Sequence, residues 1–340
     1  MKAYVLYAVN DFRYDNIEMP ECPAGWALVK VKAAGICSSD ISRVFTKGTY
    51  HFPTIPGHEF AGVVYAVGDQ KDSDLIGKHV GVFPLIPCRK CEQCKNKRFE
   101  MCSHYDYIGS RRDGGFSEYV AVPVWNLILL PSSLSLISAA MLEPLSVALH
   151  AMKIGGIKKN DTVAIIGTGM IGISAGQWAY KLGAKSVTVI GRNENKRDLV
   201  EKCGLDYVVC TDNEMIGQYD FVLEAVGTPS AIGLAVSGAV PGGTILLMGN
   251  PSGNITFPQD LYWRILRKQL TLKGTWNSTF DGENKSDWTE AVTALVNNEI
   301  NVEPLVSHIF NQDKLKEGLE LMFEHNTPYC KVMTIWNHEN

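Results

Sequence analysis

The stretch DTVAIIGTGMIGISAGQWAYKLGAKSVTVIGR, residues 161–192, leaves this chain few folds to choose from. An apolar run rich in β-branched residues leads into a glycine turn, a helical segment and a second apolar run, which is the pattern of a βαβ unit. Parallel strands need such a crossover helix lying on their sheet, so the chain is expected to be α/β with a doubly wound parallel sheet. The runs YDFVLEAV, GGTILLMGN and LTLKGTW continue the alternation to about residue 280. Before residue 149 the texture changes to strand and turn, as in ALVKVKAAGI, AGVVYAVG and KHVGVFPLIP, and this part reads as mostly β. Helical segments are expected at SLISAAMLEPLSVALHAM, KSDWTEAVTALVNNE and QDKLKEGLELMFEH, with a last strand at KVMTIW.

Gly167, Gly169 and Gly172 form G-x-G-x-x-G directly after the strand TVAII. The first glycine makes the tight turn, the second lets the backbone approach a pyrophosphate, and the third packs helix on strand. Met170 and Ile171 open the helix, whose unpaired N–H groups and dipole favour a phosphate. The end of the second strand selects the cofactor. An NAD site carries Asp or Glu there for the ribose 2′-hydroxyl; this strand ends in Gly191, followed by Arg192, Asn193, Lys196 and Arg197. Gly191 leaves room for a 2′-phosphate and Arg192 can bind it bidentately, which favours NADP over NAD.

At 340 residues, 46% apolar and 20% charged, the chain is long enough for two domains with separate cores. The formal charge of −4 argues against a nucleic-acid binder, which needs a basic field. The amino-terminal MKAYVLYAVNDFRYDN shows no leader pattern, so a cytoplasmic location is expected. Residues 162–180 and 225–259 are uncharged over lengths that could span a bilayer, but Gly and Pro punctuate both, as in buried strands and turns; no membrane association is expected.

Nine cysteines, an odd number, make a disulfide framework unattractive for a cytoplasmic chain. Cys88, Cys91, Cys94 and Cys102 are spaced C-x2-C-x2-C-x7-C, close enough to close a tetrahedron about zinc, and Arg89, Lys90, Lys95 and Lys97 offset the charge. A second constellation offers Cys37, His58, Glu59 and Glu143: one thiolate, one imidazole and one or two carboxylates, the mixed set with an open position that a catalytic zinc requires. Asp40 is placed to accept from the free nitrogen of His58.

The order of Cys37, GHE at 57–59, the four-cysteine loop, DGGFSEY at 113–119, Glu143 and the glycine turn resembles that of the zinc-dependent medium-chain alcohol and polyol dehydrogenases, over nearly the whole chain. The resemblance implies a GroES-like catalytic domain from residues 1–149 and 281–340, with a structural zinc lobe at about 85–105, and a Rossmann domain at 150–280, the active site lying in the cleft between them. It implies two zinc ions, with Cys37, His58 and Glu143 around the catalytic one and Glu59 either a ligand or just behind. Ser39 matches the position whose hydroxyl passes the substrate proton towards solvent, and Ser38 replaces a common glycine. A homodimer or homotetramer acting on a small molecule is likewise implied.

Within the family, YDYIGSRRDGGFSEY and ILRKQLTLKGTW look most like the branch that oxidises a sugar-alcohol phosphate, of the type galactitol 1-phosphate to tagatose 6-phosphate. That branch generally uses NAD, whereas Gly191 and Arg192 read as NADP; the local chemistry of the pocket takes precedence. Arg43, Lys47, Arg111 and Arg112 are candidates for a substrate phosphate. Trp276 and Asn277 are candidates for the cleft border, with core packing the other role for Trp276. Two further readings stay open: a dehydrogenase of an unphosphorylated polyol, diol or threonine, and a non-catalytic NADPH-binding or redox-sensing protein on the same fold.

Overall fold

The computed structural model describes residues 1–210, 218–251, 253–282 and 286–337. The chain divides into two compact units: residues 1–144, 279–297 and 306–340 form one, and residues 145–278 with 298–305 form the other.

The first unit is built on a seven-stranded sheet centred on Trp26–Ile36, whose buried Ala27, Val29, Val31, Ala34 and Ile36 face the core. This strand pairs antiparallel with three others: Glu59–Val67, Tyr119–Pro123 and Lys331–Ile335. Its last residues set the geometry of everything that follows. Gly35 stands opposite both Glu59 and Met333, and Ile36 stands opposite Val332. The ends of three strands distant in sequence therefore meet where the chain leaves the sheet at Cys37. A strand at Val306–Asn311, alongside Lys331–Ile335, escaped the sequence reading. Its alternation between half-buried and exposed residues buries no face fully, so it lacks the apolar signal of a core strand.

The second unit is a six-stranded, wholly parallel sheet made of Thr162–Ile166, Ser186–Gly191, Asp206–Val209, Tyr219–Glu224, Ala239–Leu247 and Thr271–Gly274. In space the order is third, second, first, fourth, fifth, sixth, the doubly wound arrangement with its switch point beside the first strand. Helix Met170–Lys181 follows the glycine turn and buries Ile173, Ala175, Trp178 and Ala179. Residues 298–305, which the sequence reading places with the catalytic domain, belong to this unit. Gln177 and Asn301 hold them there by a reciprocal pair of hydrogen bonds, Nε2 to the Asn301 carbonyl at 3.0 Å and the Asn301 N–H to Oε1 at 2.7 Å. Among the described residues no helix is long and apolar enough to cross a membrane.

The three glycines of the turn have separable roles. Gly167 has φ +124°, and a Cβ on Gly172 would lie 2.2 Å from the Gly167 carbonyl, whereas a Cβ on Gly169 would meet nothing within 4 Å. Gly172→Ala is therefore expected to cost about 1–3 kcal/mol in denaturant titration. Gly169→Ala should leave stability unchanged and weaken only nicotinamide-cofactor binding, read by titration of cofactor fluorescence.

Candidate catalytic and structural metal centres

Cys37, His58 and Glu59 converge so that one ligand atom from each lies within 4.8 Å of the others. The strand register explains why: Glu59 begins the strand opposite Gly35, and Cys37 follows that strand's end. A Cβ on Gly35 would sit 2.4 Å from Glu59 Oε2, so only glycine lets the carboxylate in. Glu143, near the start of helix Leu142–Gly155, lies beside this trio and not within it. Its Oε1 accepts a hydrogen bond from the Tyr107 hydroxyl at 3.3 Å, and burial pushes its carboxyl up to about 7 against the pull of His58.

The short helix Ser38–Ser42 arranges the next layer. Asp40, fully buried, accepts from the Cys37 N–H at 3.0 Å, and its Oδ1 lies 3.5 Å from His58 Nδ1, an ion-pair distance without hydrogen-bond alignment. Arg43 lies one turn on, at i+3 from Asp40 and i+4 from Ser39. Its Nη1 donates to Asp40 Oδ1 at 3.0 Å and to Ser39 Oγ at 2.8 Å.

Sequence reasoning missed Lys331. Its ammonium group, 3% exposed, donates to Glu59 Oε2 at 2.5 Å and to the Ile36 carbonyl at 3.2 Å. Burial pulls its pKa down, but the charges of Glu59 and Cys37 outweigh this and raise it, so the lysine stays charged. The signal was a single cation entering the apolar strand KVMTI. Tyr107, tilted against His58 with ring centroids 5.8 Å apart, was missed as well.

The donor set fits a zinc ion. A half-buried thiol lies with a buried imidazole, two buried carboxyl groups and one buried lysine as counter-charge, and burial holds Glu143 towards neutrality. Cys37, His58, Glu59 and Glu143 would hold that ion.

In the lobe, Cys88, Cys91, Cys94 and Cys102 also gather within 4.8 Å, with Sγ–Sγ distances of 3.9 Å for Cys88–Cys94 and Cys91–Cys102. Backbone N–H groups of Cys94 and Ser103 lower the Cys91 thiol to about 5, and burial pushes Cys94 up to about 12. Four sulfurs at this spacing, with the Cys88 N–H donating to Cys102 at 3.3 Å, suit a closed tetrathiolate zinc site. Arg89 stacks on Trp125 at 4.5 Å and braces the lobe.

The other candidates separate. Arg111 lies between the Tyr50 and Tyr105 rings, at 4.4 and 4.3 Å, and donates to the Tyr105 carbonyl at 2.7 Å. Arg112 pairs with Asp106 and covers the Trp26 ring at 5.3 Å. Both are committed to the protein's own groups. Lys47 is exposed and Trp276 is 61% exposed, so Trp276 is not a core residue. Asn277 adopts φ +60° and caps the Ser278 N–H with its own side chain at 2.9 Å.

In the second unit Gly169 precedes helix Met170–Lys181 with extended backbone, φ −83° and ψ 178°. Met170 is buried and Ile171 half-buried at the helix start. At the neighbouring strand end Arg192 is exposed and Lys196 half-buried. Arg197 is tied by Nε to Glu194 at 2.7 Å and by Nη1 to Glu201 at 3.2 Å, so it braces the turn. The space over Gly191 is already filled: a Cβ there would lie 2.0 Å from the Tyr207 hydroxyl. The glycine serves that tyrosine and is not a vacancy for a phosphate.

Residues 23–132 match the family model described as the alcohol dehydrogenase GroES-like domain, and residues 171–297 match that of zinc-binding dehydrogenases. The chain belongs to the zinc-dependent medium-chain dehydrogenases. It is similar to galactitol 1-phosphate 5-dehydrogenase of Escherichia coli K12, with 35% identity over 82% of this chain and 84% of that protein. Among solved structures it resembles a zinc-binding dehydrogenase from Sinorhizobium meliloti bound to NADP, with TM-score 0.88, 28% identity and 98% of both chains covered. It also resembles the alcohol dehydrogenase RspB of E. coli CFT073 complexed with NADH, with TM-score 0.88, 27% identity, and 98% of this chain and 99% of that one covered. As a member of this family the chain is an NAD(P)-dependent alcohol dehydrogenase.

Two substitutions separate the metal centres. Cys37→Ser is expected to abolish turnover while the melting temperature stays close to wild type, and Cys91→Ser to lower the melting temperature first. Lys331→Met, which strands Glu59 as a buried uncompensated anion, should cost about 3–5 kcal/mol in the zinc-free protein, measured by denaturant titration.

Proposed function

We propose that the protein moves a hydride between NADP and a phosphorylated polyol, oxidising a secondary alcohol of the galactitol 1-phosphate type to the ketose phosphate or running the reverse. The observation that carries this reading is Arg43. Its Nη1 is engaged by Ser39 and Asp40, while Nε and Nη2 have no hydrogen-bond partner among the described residues. A half-buried guanidinium beside the metal-ligand cluster, with two donor groups unused, suits an anionic substrate. Similarity to a galactitol 1-phosphate dehydrogenase supports the same substrate class.

Each side chain then has a defined task. A zinc ion, when held by Cys37, His58 and the two carboxylates, supplies the Lewis acidity that makes a secondary hydroxyl acidic near neutral pH. Ser39 Oγ accepts the substrate's hydroxyl proton as its own leaves towards solvent, and Arg43, donating to that oxygen, fixes its orientation. The carbon-bound hydrogen leaves with its electron pair to nicotinamide C4, and the alcohol becomes a ketone. Asp40 holds His58 from behind and Lys331 balances Glu59, so the ligands keep their places through turnover. The preference for NADP rests on Arg192 and Lys196 at a strand end that carries no acid.

The protein is proposed to act in the cytoplasm as a homodimer or homotetramer, with one catalytic and one structural zinc per chain.

The test is the initial rate of NADPH oxidation with tagatose 6-phosphate, beside tagatose and beside NADH, on zinc-replete protein. Fast turnover is expected only with the phosphate ester and NADPH, and Arg43→Met should raise KM for the ester by about tenfold or more. Equal rates on both ketoses would move the substrate to an unphosphorylated polyol. No turnover on any secondary alcohol or ketone would sink the catalytic reading.

A further inference from the structure

Position 191 has no room for a side chain, and the nearest obstruction is Tyr207. Gly191 does not have a positive φ, so its backbone would tolerate any amino acid. What crowds one is first the Tyr207 hydroxyl, 2.0 Å from where a Cβ would be, and then Thr168 Cγ2 at 2.9 Å. Tyr207 belongs to the adjacent parallel strand Asp206–Val209, where it stands in register with Val189, and it is 6% exposed.

From there the tyrosine ties down both ends of the turn that leaves Gly191. Its hydroxyl donates to the Asn193 carbonyl at 2.6 Å. The Arg197 guanidinium lies over its ring at 5.2 Å and donates to its backbone carbonyl at 3.2 Å, while also pairing with Glu194 and Glu201. Arg192 and Lys196 are thus carried by a turn whose shape is set from beneath.

We propose that Tyr207 is a positioning residue for cofactor choice: it occupies the space a side chain at position 191 would need and fixes the turn that presents Arg192 and Lys196 to the adenosine ribose. An NAD-selective site needs a carboxylate at the end of this strand to bond the ribose hydroxyls. The atoms of Tyr207 fill the space through which such a side chain would leave the backbone. Because its O–H is engaged by Asn193, Tyr207 acts through the turn and not on the cofactor. The inference rests on the nicotinamide-cofactor reading of this unit and adds a cause for the preference.

Binding of NADPH and NADH to the full-length zinc-loaded protein would be measured by the fluorescence of the bound nicotinamide, with thermal melting beside it. Tyr207→Phe keeps the ring and loses the Asn193 bond; NADPH should bind about tenfold more weakly, with NADH affinity unchanged. Gly191→Asp alone should bind both cofactors poorly, because the new side chain collides with Tyr207. Adding Tyr207→Ala should restore NADH binding about tenfold or more over that single variant.

NADH binding by Gly191→Asp as tight as by the double variant overturns the exclusion, and wild-type NADPH affinity in Tyr207→Phe overturns the positioning of the turn. If melting shows Gly191→Asp unfolded, recovery of a folded NADH-binding protein in the double variant still supports the exclusion. The wild-type ratio of NADPH to NADH affinity decides the NADP reading separately. The comparison of single and double variants decides the role of Tyr207 whichever cofactor that ratio favours.

Discussion

Everything in the catalytic unit depends on the register of one strand. Because Trp26–Ile36 pairs with Glu59–Val67 and Lys331–Ile335 at the same end, its exit point gathers a thiol, an imidazole, a carboxylate and an ammonium group. A slip of one residue would turn Glu59 away from the centre and bring Phe60, an apolar ring of the core, into its place. The cluster is thus a property of the sheet before it is a property of its side chains. The absence of a Cβ at Gly35 is part of that property, because it is the space Glu59 occupies.

Burying so many ionisable groups is tolerable only if each finds a counterpart. Lys331 answers Glu59, and Asp40 answers both His58 and Arg43. Glu143 accepts a hydrogen bond from the Tyr107 phenol, and burial raises its pKa in spite of the pull of His58 and Lys331. The same accounting separates Arg43 from Arg111 and Arg112. The latter two are engaged by tyrosine rings, a carbonyl and Asp106, and Arg111 Nε, without a partner among the described residues, is buried, while Arg43 keeps Nε and Nη2 in reserve next to Ser39.

The parts of this architecture legible in the sequence were those carried by short-range pattern. The glycine turn, the four-cysteine spacing and the βαβ alternation each state their geometry within about thirty residues. Glu143 was nameable because a carboxyl group has few reasons to lie in an apolar run, and Cys37 and His58 because they complete with it a mixed ligand set in a familiar order along the chain. Lys331 and Tyr207 were not, since their meaning depends on which strand lies alongside, and the sequence does not state that pairing. Gly191 shows the limit most clearly. The missing side chain was visible in the sequence, but the reason for it stood sixteen residues away on the next strand, in the Tyr207 hydroxyl.

The Lys331 contacts also bear on the order of events at synthesis. The lysine meets the Ile36 carbonyl across 295 residues and Glu59 across 272, with the whole parallel-sheet unit threaded between them. A ribosome-bound chain has already emitted Cys37, His58, Glu59 and Glu143 long before it emits the cation that balances them. Until then Glu59 lacks the buried ammonium group that pairs with it in the finished sheet. Arrival of the last strand closes that interval and fixes the electrostatic identity of the site.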